Sequence, residues 1–394
     1  MDDDFEALRA RVMAGPALQQ RLDRAILPDV FAAELRALAA EMGLRLDPRR
    51  LDPQSRPAPV RDGRLSGAVR PSRSWAPPGW LPVRLLDCEG GGIVDWAYFG
   101  DAVLAESFYE DSARRAAMRP FNRLFRHAMR LDDFVAGAQP DDGVAPQGFL
   151  FHMSRCGSTL AVQMLGRLPG TIALSEPGPL DALVRLAIGR TDLSEQWRIA
   201  ALRAMVAALA RKRSGEHRCF VKLDSWHILA LPLLRRAFPD VPWVYLFREP
   251  VEVLVSHMRM RGYQTVPALM PPGLYALDQA STAAPEHLCA GILAQFHTAA
   301  IAALEAGDGI AIDYADLPGA VAARVAPHFG LALSDAERAM LERAARGDAK
   351  APDRAFTPDA SSKQAQASPA VRAAAREHLS PLHERLRALG GARL

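Results

Sequence analysis

From Gly148 onward, short apolar runs alternate with helix-length amphipathic segments, and this alternation constrains the fold more than any other feature. Segments 148–153 (GFLFHM), 171–174, 219–222 (CFVK), 243–247 (WVYLF) and 309–313 (GIAID) read as strands. Between them, 159–168, 192–213, 226–238, 250–261 and 285–306 read as helices. Asp192 and Glu195 have capping-box spacing, Pro232 predicts a kink, and Pro250 suits a first helical position. Strands separated by helices return through crossovers, which makes a parallel sheet with helices on both faces. Such a sheet binds ligands beyond the carboxyl ends of its strands, so the chemistry is expected just after each strand.

The chain has 394 residues, too long for one ordinary domain. Hydrophobic residues make up 49% and charged residues 24%, enough to fill a core and too apolar for a disordered chain. A net charge of only +3 gives little support to a nucleic-acid partner. No run reaches the ~18 uninterrupted apolar residues of a membrane span. The start, MDDDFEALRA, is acidic and lacks an apolar signal region, so a cytoplasmic protein is expected. Cys88, Cys156, Cys219 and Cys289 show neither zinc spacing nor a disulfide framework.

The N-terminal third divides differently. Residues 1–52 read as a small helical module, with Val30, Phe31, Leu35, Leu38 and Met42 on one face and Gly43 as a stop. The stretch LRARVMAGPALQQRL…FAAELRALAAEMGLRL resembles Nif11-like domains, short helical leader modules of some bacterial peptide precursors. A helical hairpin packed on the main body explains the same spacing. A unit this small cannot bury Phe5, Leu22, Phe31 and Leu35 by itself. The rest of the chain, a second copy in a homodimer, or a peptide must cover them. Residues 53–80 have a Pro-rich linker composition, and 81–145 read as an extension preceding a catalytic domain at 146–394. There, 81–86 reads as a strand and 112–135 as one or two helices broken at Pro120. Asp95, Trp96, Tyr98 and Phe99 read as a packing cluster. Residues 262–285 read as an exposed, mobile loop.

The first strand runs into Ser154-Arg155-Cys156-Gly157-Ser158-Thr159, a tight turn opening a helix. Backbone N–H groups at a helix N-terminus attract anions. Gly157 permits close approach, Ser158 and Thr159 add hydroxyls, and Arg155 adds a cation. The GxxxxGK[ST] pattern of NTPases is missing its Lys. Arg248 ends the fourth strand and Ser256 follows two helical turns later, a pair suited to gripping one phosphate. Lys222 ends the third strand and Glu176 follows the second, with Asp224 and His227 as rival bases.

Segment 148–165, GFLFHMSRCGSTLAVQML, resembles the 5′-phosphosulfate loop of sulfotransferases, with Cys156 where family members commonly carry Ser. FREPVEVLVS, with Arg248 and Ser256, resembles the family's 3′-phosphate motif, Glu249 replacing a common Asp. FVKLDSW and ALSEPG are similar to the tyrosylprotein-sulfotransferase-like branch. There the strand-end Lys, here Lys222, contacts the bridging oxygen of the donor, and the Glu, here Glu176, acts as base. Segment 310–331 resembles a late structural strand–Tyr–helix segment, with Tyr314 and Leu317 seating the helix. Segment 355–366 resembles a basic segment reaching back to the 3′-phosphate through Lys363. The resemblance covers about residues 145–390. It implies a P-loop-type α/β fold, 3′-phosphoadenosine 5′-phosphosulfate (PAPS) as donor, no metal, and a small-molecule or peptide acceptor with a hydroxyl or amine. The alternatives from other classes are a P-loop kinase and a non-catalytic nucleotide- or peptide-binding protein.

Overall fold

The computed structural model describes residues 2–47, 60–61, 64–65, 71–88, 91–139, 141–276, 284–307, 309–347 and 359–391. They form two compact units. One comprises Met1–Val144, Pro177–Leu183 and Arg203–Glu216, and the other Ala145–Glu176, Val184–Leu202 and His217–Leu394.

In the first unit, β1 (Val60–Arg61) and β2 (Arg64–Leu65) form a two-residue antiparallel ribbon. The main sheet of this unit is antiparallel: β3 (Trp80–Leu86), β4 (Ile93–Tyr98) and β5 (His127–Arg130), in that order. The expected strand at 81–86 is β3. The residues around Asp95 and Trp96 are a second strand, β4, buried along its whole length. The expected helical stretch 112–135 breaks into helices Tyr109–Met118, Pro120–Leu124 and Leu131–Ala136, with β5 inserted among them. The aromatic cluster is a packing core, in which Trp80, Tyr98 and Phe121 meet at ring distances of 5.2 to 5.9 Å.

Helices Asp2–Ala14, Pro16–Asp23 and Pro28–Glu41 make up the N-terminal segment. Their apolar face rests on the chain's own residues. Phe5 stacks on Phe125, and the Trp80 indole N–H donates to buried Gln19 at 3.0 Å. Arg119 donates to the Asp23 carbonyl.

The second unit holds a five-stranded parallel sheet flanked by helices. Its strands are β6 (Gly148–His152), β7 (Thr171–Ser175), β8 (Arg218–Lys222), β9 (Trp243–Phe247) and β10 (Gly309–Asp313), arranged β10-β9-β6-β8-β7. Every neighbouring pair is parallel. β6 and β9 are buried throughout, as a sheet covered on both faces requires. All five strands fall within one residue of the sequence expectation. The first of them, β6, lies between β8 and β9. Sheet growth therefore changes side at the carboxyl end of β6, the place where open α/β sheets bind ligands.

Several helical expectations need correction. The helix expected from Asp192 starts at Glu195, because Asp192 pairs instead with Arg190 at 2.6 Å and Ser194 accepts the Trp197 N–H. A further helix, Gly178–Gly189, precedes it. Segment 226–238 is a 3₁₀ turn, Ser225–Ala230, followed by helix Leu231–Ala237. Pro232 lies in the first turn of that helix and so kinks nothing.

The loop expected to be exposed from 262 carries turns Tyr263–Thr265 and Pro267–Leu269, with Gln264 and Thr265 buried. Its part at 277–283 lies outside the described residues, as do 48–59 and 66–70 of the N-terminal segment and linker and 355–358 of the late basic segment. Helix Pro285–Glu305 is long and apolar enough to cross a membrane by length and composition, although polar residues interrupt its apolar run. It packs against helices Pro369–Ala374 and Ser380–Gly391 and buries Ile292, Leu293 and Phe296.

Candidate active site

The loop between β6 and helix Ser158–Gly166 is shaped by left-handed backbone. Ser154, Arg155 and Gly157 have φ of 79°, 55° and 80°. Such turns curl N–H groups into an anion-binding concavity, and a helix N-terminus follows directly. The two non-glycine residues resist this geometry, so the surroundings must impose it. The Ser154 N–H donates to His152 Nδ1 at 3.0 Å, and Ser154 Oγ accepts from Gln264 at 2.8 Å. Gly157 is required by packing as well as by φ. A Cβ there would stand 2.8 Å from both Tyr314 and Leu317. Tyr314 and Leu317 therefore abut the loop itself. Ser158 and Thr159 are buried at the helix start. The Cys156 thiol points into the sheet and donates to the Leu246 carbonyl at 3.2 Å. Burial pushes it up to about 11. Position 156 thus offers a ligand its backbone and not its side chain.

Beside this loop stands a second cluster. Glu176, just past β7, is also left-handed, with φ of 48°. Its N–H donates to the Lys222 carbonyl at 2.8 Å, and its carboxylate accepts from Lys222 Nζ in an ion pair. His152 Nε2 lies 3.2 Å from the same carboxylate oxygen and 3.0 Å from the Leu223 carbonyl. Because Nδ1 accepts the Ser154 N–H, the ring proton of His152 sits on Nε2 and serves both oxygens. Burial and the Lys222 charge hold His152 below its usual range, so the ring is neutral. Burial alone would raise the Glu176 carboxyl, but the Lys222 charge and the His152 hydrogen bond overcome it. The carboxyl is held well below the ordinary range.

The third cluster lies at the end of β9. Arg248 donates from Nε to Glu252 at 2.6 Å and from Nη2 to Asp359 at 2.7 Å, and its guanidinium lies 3.9 Å from the centre of the Tyr314 ring. Burial disfavours the Arg248 charge, but the two carboxylates outweigh it and hold the guanidinium above its usual value. Lys363 Nζ lies 2.8 Å from the other oxygen of Asp359. One half-exposed carboxylate therefore bridges two buried cations. Helix Ala360–Gln366, which carries Lys363, packs on helix Pro250–Arg259, and Gln364 donates to Glu249.

Arg155 donates to the Met260 carbonyl at 3.0 Å, so it reaches the end of the helix that carries Ser256. Ser256 is half-buried on that helix, and its carbonyl accepts the Met260 N–H. The charges of Lys222 and Arg248 both act on the buried Cys156 thiol, and that of Glu176 acts on Arg155. The loop meets one cluster through the Ser154–His152 hydrogen bond and the other through Tyr314, which lies between Gly157 and Arg248. Of the rival bases, Asp224 accepts from Tyr263 at 2.6 Å, and His227 is buried edge-on against Trp226. Sequence reasoning missed Asp359, Glu252 and Gln264. Glu252 lies one helical turn after Arg248, a spacing that could have signalled it. Asp359 and Gln264 carry no local signal.

No family model matches the chain, and no curated protein sequence is similar to it. Solved structures are. The sulfotransferase domain of the Synechococcus PCC 7002 olefin synthase is 18% identical, with a TM-score of 0.36, covering 64% of this chain and 96% of that one. Sulfotransferase STF1 from Mycobacterium tuberculosis H37Rv is 17% identical, with a TM-score of 0.34, covering 60% and 81%. A sulfotransferase from Alicyclobacillus acidocaldarius is 14% identical, with a TM-score of 0.38, covering 64% and 98%. At such identities no residue role passes from them to this chain.

Proposed function

We propose that this chain is a sulfotransferase that moves a sulfuryl group from PAPS to a hydroxyl or amine of a small-molecule or peptide acceptor. The observation that carries the reading is the Glu176–Lys222–His152 cluster at the strand ends, beside a left-handed loop that opens a helix. A nucleotide with anionic groups at its 3′ and 5′ ends fits the residues present. The loop is built for one anion, and Asp359 between Arg248 and Lys363 is a stand-in for a second. When bound, the donor supplies the sulfuryl group and a phosphate leaving group.

The roles follow from chemistry. Loop N–H groups and Arg155 hold the 5′ phosphosulfate. Arg248, Lys363 and Ser256 hold the 3′ phosphate once Asp359 turns aside. Glu176 takes the acceptor proton as the new oxygen–sulfur bond forms and the bridging sulfur–oxygen bond breaks. Lys222 holds the charge that grows on the departing oxygen. As Lys222 turns to that oxygen, Glu176 loses its strongest partner and its basicity rises towards the ordinary carboxylate range. His152 keeps the carboxylate aimed, its own ring fixed by Leu223 and Ser154.

Thermal denaturation with 3′,5′-adenosine bisphosphate in EDTA tests the reading. At ~100 times the dissociation constant, linkage gives about 2.7 kcal/mol of stabilisation. A shift that appears only with ATP and Mg²⁺ overturns the reading in favour of a phosphotransferase.

A further inference from the structure

We infer that His287, Glu377 and His378 form a binding site for one zinc-class divalent metal ion. None of the three belongs to the clusters described above. His287 lies in the first turn of helix Pro285–Glu305. Glu377 and His378 lie in the π-helical turn Ala375–Leu379, which packs against that helix. A π turn is wider than an α turn, so successive side chains diverge less around it. Single π turns are enriched at functional sites.

The three groups converge closely enough to share one metal ion. His287 Nδ1 and His378 Nε2 lie 3.1 Å apart, with the rings nearly perpendicular. Glu377 Oε2 lies 3.4 Å from His287 Nδ1, and Oε1 lies 3.6 Å from His378 Nε2. Two nitrogens and one carboxylate bound tetrahedrally to Zn²⁺ at their usual bond lengths would be about 3.3–3.5 Å apart. The two nitrogens are near that spacing, each faces one oxygen of the same carboxylate, and one ligand atom from each of the three residues lies within 4.8 Å of the others. Without metal, one imidazole N–H donates to the other nitrogen. Moving the ring protons to His287 Nε2 and His378 Nδ1 frees both lone pairs at no cost in net charge. The side chains are 31%, 63% and 28% exposed in chain order, so water can reach the fourth position. Two imidazoles and a carboxylate suit zinc, cobalt or nickel, and not magnesium or calcium. Bound metal would tie the start of the long helix to the C-terminal helical layer.

The test is calorimetric titration of Zn²⁺, and optical titration of Co²⁺, into the full-length, tag-free protein. The same titrations are run on Glu377→Gln, His287→Gln and His378→Gln, with circular dichroism confirming each fold. The expected result is one Co²⁺ per chain with the intense visible bands of low coordination, weakened at least tenfold in either histidine variant. Glu377→Gln, being well exposed, keeps the fold and also weakens binding. Zn²⁺ should raise the melting temperature of the parent and not of the double histidine variant. Absence of binding by the parent, or equal binding by the parent and the double variant, overturns the site.

Discussion

The second unit pairs a strand-end cation with a carboxylate in two places, and the two pairs are held in opposite ways. At the end of β8, Lys222 is 1% exposed and its partner Glu176 21%, and Glu176 is fixed by left-handed backbone, a backbone hydrogen bond and His152. At the end of β9, Arg248 is also buried, but its bridging partner Asp359 is 46% exposed and sits at the start of a seven-residue helix. A carboxylate anchored in strained backbone is built to stay and react. One that sits half-exposed before a short helix, making no cap hydrogen bond and resting on two buried cations, is easier to displace. In the proposed reaction the first is the base and the second a place-holder for phosphate.

The largest effect expected from this difference is on turnover. Glu176→Ala should lower kcat by about 10²–10⁴-fold while leaving nucleotide affinity nearly unchanged. Steady-state kinetics with any accepted hydroxyl, beside a nucleotide titration, measures both. Full turnover in the variant would hand the base role to Asp224 or His227 and erase the contrast. At the other grip, Arg248→Ala should weaken 3′,5′-adenosine bisphosphate by about 10–100-fold, since hydrogen bonds to charged groups contribute about 1.5–3 kcal/mol. Its fold stability must be checked separately, because Glu252 would be left without its partner.

Asp359→Asn should act in the reverse direction. Removing the competing charge should tighten the bisphosphate a few-fold, whereas Glu176→Gln should not. Weaker binding in Asp359→Asn would make that carboxylate a structural clamp.

A smaller effect concerns acid. His257, in the helix following Arg248, is pushed down to about 3 by burial and by Arg155 and Arg261. Burial also takes His297 down to about 3. Their folded values lie below the unfolded value of about 6.5, so their contribution is full above that pH and is lost as pH falls. Between pH 7 and 5.5 each should cost about 1 kcal/mol, measurable by denaturant melts and reduced in His257→Gln. A flat profile would mean these rings are not neutral.

The parallel sheet was legible because its strands are buried on both faces and so read as unbroken apolar runs such as WVYLF. The candidate loop positions could be singled out because open α/β sheets bind ligands at strand ends. β4 was hidden, since its residues combine aromatic and acidic side chains without alternation. The same holds for β5, four residues set among helical segments. The role of Asp359 was hidden for a different reason: it meets Arg248 across 111 positions of sequence, and only tertiary packing brings them together. The loop after Arg261 looked exposed from its Pro and Gly content, yet Tyr263, Gln264 and Tyr275 tie it to Asp224, Ser154 and itself.

The central claim is that two separate grips hold one nucleotide through phosphates at both ends. The most direct measurement is calorimetric titration in EDTA of adenosine 5′-monophosphate against 3′,5′-adenosine bisphosphate, in the parent and in Arg248→Ala. The 3′ phosphate is predicted to add about 10–100-fold in affinity to the parent and almost none to the variant. Equal affinity of the two nucleotides for the parent would contradict the two-grip account.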